Sequence, residues 1–155
     1  MKIEIVENTP QEISEKMWQD LENYDKSNGI DTNYKRFSLI AKNDNEEVIG
    51  ALEGYTVFAE VYVGELWVDA VYRGKGYGRK LLQELERQFQ GKGFLNISLC
   101  TSEFQAPGFY KKCGFELEFV RKNHQYPKLT KYFFIKYFHN NEQAQGILKV
   151  PVKVI

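Results

Sequence analysis

Cysteine is scarce in this chain, with Cys100 and Cys113 the only two among 155 residues. Their spacing fits neither a zinc site nor a redox pair, and one pair could not replace a core as a disulfide framework does. We read both as reduced thiols of a cytoplasmic protein, with Cys100 buried in a strand. An excess of charge is missing too: 21 Lys and Arg balance 21 Asp and Glu. That balance gives no support to a nucleic-acid partner, which calls for a basic footprint. No apolar run approaches the roughly 20 residues that cross a bilayer, so no membrane partner is expected. The opening MKIEIVENTPQE lacks the apolar centre of a signal peptide. No metal site is expected, and the two histidines, His124 and His139, fall late in the chain without an assigned role.

What is present is a balance typical of a globular domain, 43% apolar and 27% charged residues. The length suits a single domain, residues 1–155, with one sizeable core. Ten Tyr and eleven Phe favour strands and supply flat surfaces for a pocket. Lys2 to Val6 alternate and predict a first strand. Thr9-Pro10 then opens a helix as N-cap and first helical residue, with Ile13, Met17, Trp18, Leu21 and Tyr24 at helical spacing and Ser27-Asn28-Gly29 as its stop. RFSLIAK, VIGALEGY and the run from Phe58 to Val68 predict an antiparallel meander.

RGKGYG (Arg73 to Gly78) follows, and Leu81, Leu82, Leu85 and Phe89 mark an amphipathic helix that ends at Gly91-Lys92-Gly93. FLNISLC reads as a buried strand, parallel to the previous one through a right-handed helical crossover. A short helix from Ala106 to Lys112 and two more strands, FELEFV and LTKYFFIKYF, complete the pattern. The tail ILKVPVKVI alternates, but Pro151 suits only an edge strand, which could pair with a second subunit in a homodimer. The expected class is α/β (α+β), with a mixed, mostly antiparallel sheet and flanking helices.

The glycine-rich turn lies between a strand and a helix. Glycine frees the backbone to approach a ligand, and the first helical N–H groups point outward with the positive dipole end behind them. Phosphate oxygens bind to such an arrangement, and Arg73, Lys75 and Arg79 add positive charge. An ordinary tight strand-to-helix connection would carry the same glycines. A P-loop is excluded because no GxxxxGK followed by Ser or Thr occurs. A dinucleotide fingerprint starting at Gly74 would need glycine where Arg79 stands.

LWVDAVYRGKGYGRKLL resembles the acyl-CoA-binding motif of the GCN5-related N-acetyltransferases, [Q/R]xxGx[G/A], with Arg73, Gly76 and Gly78 in its defined positions. FYKKCGFE (Phe109 to Glu116) resembles the second signature of that family, FYxxxGF. The resemblance covers about residues 1–138, with 139–155 as a tail. It implies a sheet whose central parallel strands splay apart, with acetyl-CoA as cosubstrate in the gap. Leu66, Trp67 and Val68 would meet the pantetheine arm, and Arg73, Gly74, Lys75, Gly76, Tyr77, Gly78 and Arg79 would hold the pyrophosphate. Tyr110 matches the usual general acid. A core tyrosine on a short helix is its bland alternative.

The implied reaction is N-acetyl transfer to a primary amine by direct attack through a tetrahedral intermediate. An alkylammonium of pKa roughly 10 is neutral in about one molecule per thousand at pH 7, so a base must take its proton. Glu65 is the first candidate and Asp69 the second, since they share strand parity; solvated carboxylates would look the same. An N–H, that of Val68, could stabilise the oxyanion. The resemblance departs at Tyr62, where some members carry glutamate, and at Glu103, where many carry asparagine, so neither role is transferred.

Glu7, Glu12, Glu15, Asp20, Glu22 and Asp25 against Lys16 and Lys26 make the first helical region acidic. With Trp18, Tyr34, Tyr24 and Phe37, that wall would suit a cationic small-molecule amine. A solvated helix with Trp18 in the core is the alternative. Other functions open to the sequence are a non-catalytic acyl-CoA sensor or interaction module, a longer-chain acyltransferase, and a protein lysine or N-terminal acetyltransferase.

Overall fold

A computed structural model describes residues 1–139. Helix α1 runs Gln11–Ser27. Its N-cap is Pro10, one residue later than the expected Thr9, because the Pro10 carbonyl accepts from the N–H groups of Ile13 and Ser14 at 3.1 and 3.0 Å. Gly29, at φ +75°, turns the chain out of the helix as expected. The meander follows as β1 (Lys35–Lys42), β2 (Val48–Val57) and β3 (Glu60–Val68), with both junctions antiparallel. A 3-10 turn at Ala70–Tyr72 leads to α2 (Tyr77–Phe89), and then come β4 (Asn96–Ser102), α3 (Pro107–Lys112), β5 (Glu116–Arg121) and β6 (Lys131–Tyr137).

Among the described residues six strands lie in the order β1-β2-β3-β4-β6-β5, and of their junctions only β3–β4 is parallel. The mixed, mostly antiparallel sheet is therefore the expected one. The strand expected at Lys2 to Val6 is absent, and Ile3 and Ile5 are 80% and 102% exposed. Alternation sets a side-chain pattern, but a strand also needs a neighbouring edge to take its N–H and C=O groups. The described sheet ends at β1 and β5 without such a neighbour. The tail ILKVPVKVI lies outside the described residues.

One hydrophobic cluster anchors α2. Leu81, Leu82 and Leu85 pack with Leu52, Val61, Val63, Ile97, Leu99 and Phe134. Each such side chain contributes about 1.5–3 kcal/mol by leaving water, so the α2 N-terminus rests on a rigid base. In contrast, α1 buries no residue. Among its ties to the body are the Trp18–Tyr34 stack at 5.4 Å and a hydrogen bond donated by Thr32 Oγ1 to Asp25 Oδ2 at 3.0 Å. Cys100, expected to be buried, is half-buried, and both cysteines are free thiols.

Two irregularities shape the centre of the sheet. Glu53 faces Glu65 but Gly54 faces Val63, so Gly64 is an extra residue in β3. Val61 and Val63 point into the core. Without the bulge Glu65 would follow them; with it, Leu66 packs on the core and Glu65 is exposed. In the second irregularity, β3 and β4 pair only from Glu60–Asn96 to Val63–Leu99. Beyond Val63 and Leu99 the parallel strands part.

Candidate active site

The loop from Arg73 to Gly78 sits at the open end of that gap. Gly74 and Gly76 have φ of +75° and +85°, and a Cβ on either would meet nothing within 4 Å. Backbone conformation, not crowding, requires glycine here, and the space beside both is open to a ligand. Gly76 is the N-cap of α2, and the first helical bond runs from Lys80 N–H to Gly76 O at 3.0 Å. The N–H groups of Tyr77, Gly78 and Arg79 therefore precede the helical ladder and carry the positive dipole end. The Arg73 Nε donates to Val68 O at 3.0 Å, which ties the loop to the end of β3. Lys75 lies over the Tyr72 ring at 5.2 Å.

Strand parity sets which groups face the gap. Asp69 N–H donates to Ile49 O on β2 at 2.9 Å. Main-chain groups alternate sides along a strand, so those of Trp67 also face β2 and those of Leu66 and Val68 face the gap. A cavity of about 480 Å³ follows, lined by Leu66, Val68, Arg73, Gly74, Gly76, Tyr77, Gly78, Arg79 and Tyr110 from the expected set. Tyr72, Ala106 and Phe109 complete it. Of these, only Phe109 carried a sequence signal, as the neighbour of Tyr110 in FYKKCGFE. Trp67 and Lys75 are not in the lining, and the Trp67 side chain is 45% exposed.

Tyr110 comes from α3, boxed by Phe115 and Phe134 with ring centroids 6.1 and 6.0 Å away. Burial pushes its pKa up to about 12, and the Cys113 thiol and the Glu65 carboxylate add to the rise. Its hydroxyl has no hydrogen-bond partner among the described residues, and the residue lines the cavity. The phenol is a fully protonated donor at neutral pH, directed at no acceptor among the described residues.

Glu65 lies in a neighbouring cavity of about 380 Å³, with Arg36, Ser38, Glu53, Tyr55 and Gly64 in its lining. Its charge raises the pKa of both Tyr62 and Tyr110, after burial as the main cause in each. Asp69 instead caps the 3-10 turn, with Oδ1 accepting from Val71 N–H at 3.0 Å. Glu103 is engaged by the Tyr132 phenol, whose pKa that bond raises, and it is absent from the lining of the cavity beside Tyr110. His124 is exposed. Among the described residues no group of three or more metal-ligating side chains occurs, and no helix is long and apolar enough to cross a membrane.

A third cleft, of about 920 Å³, opens between α1 and residues 31–35. Glu15 and Glu22 from the expected acidic wall line it, with Asp31, Trp18 and Tyr34. Trp18 is 49% exposed, so it is not a core residue. Phe37 packs against the Phe89 ring at 5.0 Å, on the α2 side. Glu53, Arg36 and Tyr55 carry no signal in the sequence, since only the pairing register brings them to Glu65.

The model of the acetyltransferase (GNAT) family matches residues 3–115. The chain belongs to that family. Blasticidin-S acetyltransferase of Streptomyces morookaense is 31% identical over 101 residues, spanning 64% of this chain and 74% of that protein. Matches to three further curated acetyltransferases span 36% to 64% of those proteins' lengths. A crystal structure of an acetyltransferase from Bacillus cereus ATCC 14579 is 30% identical, with a TM-score of 0.71 over 87% of this chain and 98% of that one. The fold is shared with an acetyltransferase of Bacillus anthracis str. Ames solved with acetyl coenzyme A, at 21% identity and a TM-score of 0.59. That likeness covers 66% of this chain and 62% of that one. Within the GNAT family frame, RGKGYG and FYKKCGFE, 30 residues apart in the chain, face a single cavity.

Proposed function

We propose that this GNAT protein transfers the acetyl group of acetyl-CoA to a primary amine, with a cationic small molecule as acceptor. One observation carries the reading: the free N–H groups that open α2 and the unbonded hydroxyl of Tyr110 line the same cavity. The pyrophosphate suits the loop from Gly74 to Arg79, and the pantetheine arm suits the gap edge at Leu66 and Val68. The amine nitrogen attacks the thioester carbonyl carbon, and the N–H of Val68, which faces the gap, steadies the oxyanion. Collapse breaks the C–S bond. The departing thiolate takes a proton from Tyr110, and the amine loses one to Glu65, directly or through water.

The test is thiol release from acetyl-CoA across a panel of amines, with Tyr110→Phe beside the wild type. Turnover lower by one or more orders of magnitude, with acetyl-CoA binding retained, is the expected result. Undiminished turnover would remove Tyr110 from the reaction. Binding without turnover on any amine would instead favour an acyl-CoA sensor.

A further inference from the structure

Four aromatic rings form a row that runs from α1 to β3, between the two acidic cavities. Trp18 stacks on Tyr34 at 5.4 Å, Tyr34 lies 5.6 Å from Tyr55, and Tyr55 lies 5.1 Å from Tyr62. Trp18 and Tyr34 line the larger cleft under α1, while Tyr55 lines the smaller cavity that contains Glu65. The row therefore links two openings that are separate in sequence. At one end Glu53 stands directly across from Glu65. Like charges in that position repel. Neither carboxylate has an ion pair or hydrogen bond among the described residues, although Arg36 shares their cavity.

At the other end stand Glu15, Glu22 and Asp31. Glu22 is matched by Lys26 at 3.0 Å, and Lys35 also lines the cleft. Among the described residues Glu15 accepts only from the Gln11 amide and Asp31 only from Asn33 N–H. Each end thus carries more negative than positive charge, and the path between them is aromatic. Cations favour both surfaces, carboxylates by charge and ring faces by their quadrupole.

This inference rests on the transferase reading and specifies its acceptor. We propose that the acceptor is an extended polyamine-like cation with at least two positive groups. Its reacting amine stands at Glu53 and Glu65, its chain lies over Tyr55 and Tyr34, and its distal cation reaches Glu15 and Asp31. A monoamine would use only the near end.

Thiol release with the linear triamine spermidine, n-hexylamine and 6-aminohexanoate tests this directly. Wild-type kcat/KM is expected to favour spermidine over hexylamine by about tenfold or more, chiefly through KM. In the double variant Glu15→Gln/Asp31→Asn that ratio should fall about tenfold. Equal use of spermidine and hexylamine, a ratio unchanged in the variant, or a preference for 6-aminohexanoate would each overturn the proposal. Calorimetric titration of spermidine into the unmodified protein gives a readout independent of turnover. Binding that the double variant weakens supports the acceptor site even without thiol release, and no spermidine binding refutes it. A separate titration with acetyl-CoA reports on the transferase reading itself.

Discussion

Gly78 packs so closely on Phe109 that a Cβ at position 78 would stand 3.2 Å from the phenyl Cζ. One contact therefore joins the first turn of α2, with its N–H groups ahead of the helical ladder, to α3, which carries Tyr110. The spacing between the α2 N-terminus and the phenol depends on a missing side chain. Gly78→Ala gains helix propensity of about 1 kcal/mol, yet it must displace Phe109. We expect a melting temperature within a few degrees of wild type and a several-fold rise in the KM for acetyl-CoA. Calorimetric melting and steady-state kinetics check both halves.

Gly76 fails for a different reason when substituted. Its φ of +85° has open space around it, so alanine meets no atom and only the backbone objects. Gly76→Ala should cost about 1–2 kcal/mol if the conformation is kept. If the loop relaxes instead, acetyl-CoA binding falls while stability holds. Denaturant unfolding paired with titration of acetyl-CoA separates the two outcomes, and loss of neither would contradict the assigned loop geometry.

The bulge in β3 predicts a larger loss. A Cβ on Gly54 would run into the Tyr62 carbonyl oxygen and stand 2.7 Å from Phe37 Cζ. Backbone cannot yield there as a flexible side chain would. Gly54→Ala is expected to destabilise by about 2–3 kcal/mol, measured by urea unfolding. A loss under about 0.5 kcal/mol, the range of neutral surface changes, would mean that the bulge is not fixed as described.

Tyr110 predicts a pH signature. Its pKa is raised to about 12, chiefly by burial, above the ordinary 10. The folded state holds that proton more tightly than the unfolded chain does. The associated stability is thus complete below pH 10 and is lost as pH rises towards 12. Tyr110→Phe should flatten the decline between pH 10 and 12 by about 2 kcal/mol relative to wild type. Urea unfolding at matched pH values measures the difference, and parallel curves for the two proteins would contradict it.

Much of this protein was legible in the sequence because much of it is local. RGKGYG needs only its own dihedrals and the start of α2 to present outward N–H groups, while its reading as a pyrophosphate loop comes from the resemblance of its motif to a family pattern. The core stripe Leu81, Leu82 and Leu85 follows from helical period, and the meander from alternation between polar turns. The same reasoning failed at Lys2 to Val6, a segment that pairs with neither described edge, β1 or β5. Trp67 shows the opposite limit: it lies in the expected strand, but parity turns its main chain to β2 and away from the gap.

Tertiary structure alone decided which residues surround Glu65. The unpaired Gly64 reverses the alternation of β3, and the register then sets Glu53 opposite Glu65 and Tyr55 opposite Tyr62. Register depends on pairing between distant segments, and no local pattern encodes it. Likewise the gap beyond Val63 and Leu99 exists because two strands diverge, which neither strand sequence specifies. Apart from the strand that did not form at Lys2 to Val6, the sequence by itself determined the described strands and α-helices, their order and the glycine-rich turn. The way strands met and parted determined the cavity beside Tyr110 and the place of Tyr55 beside the Glu53–Glu65 pair.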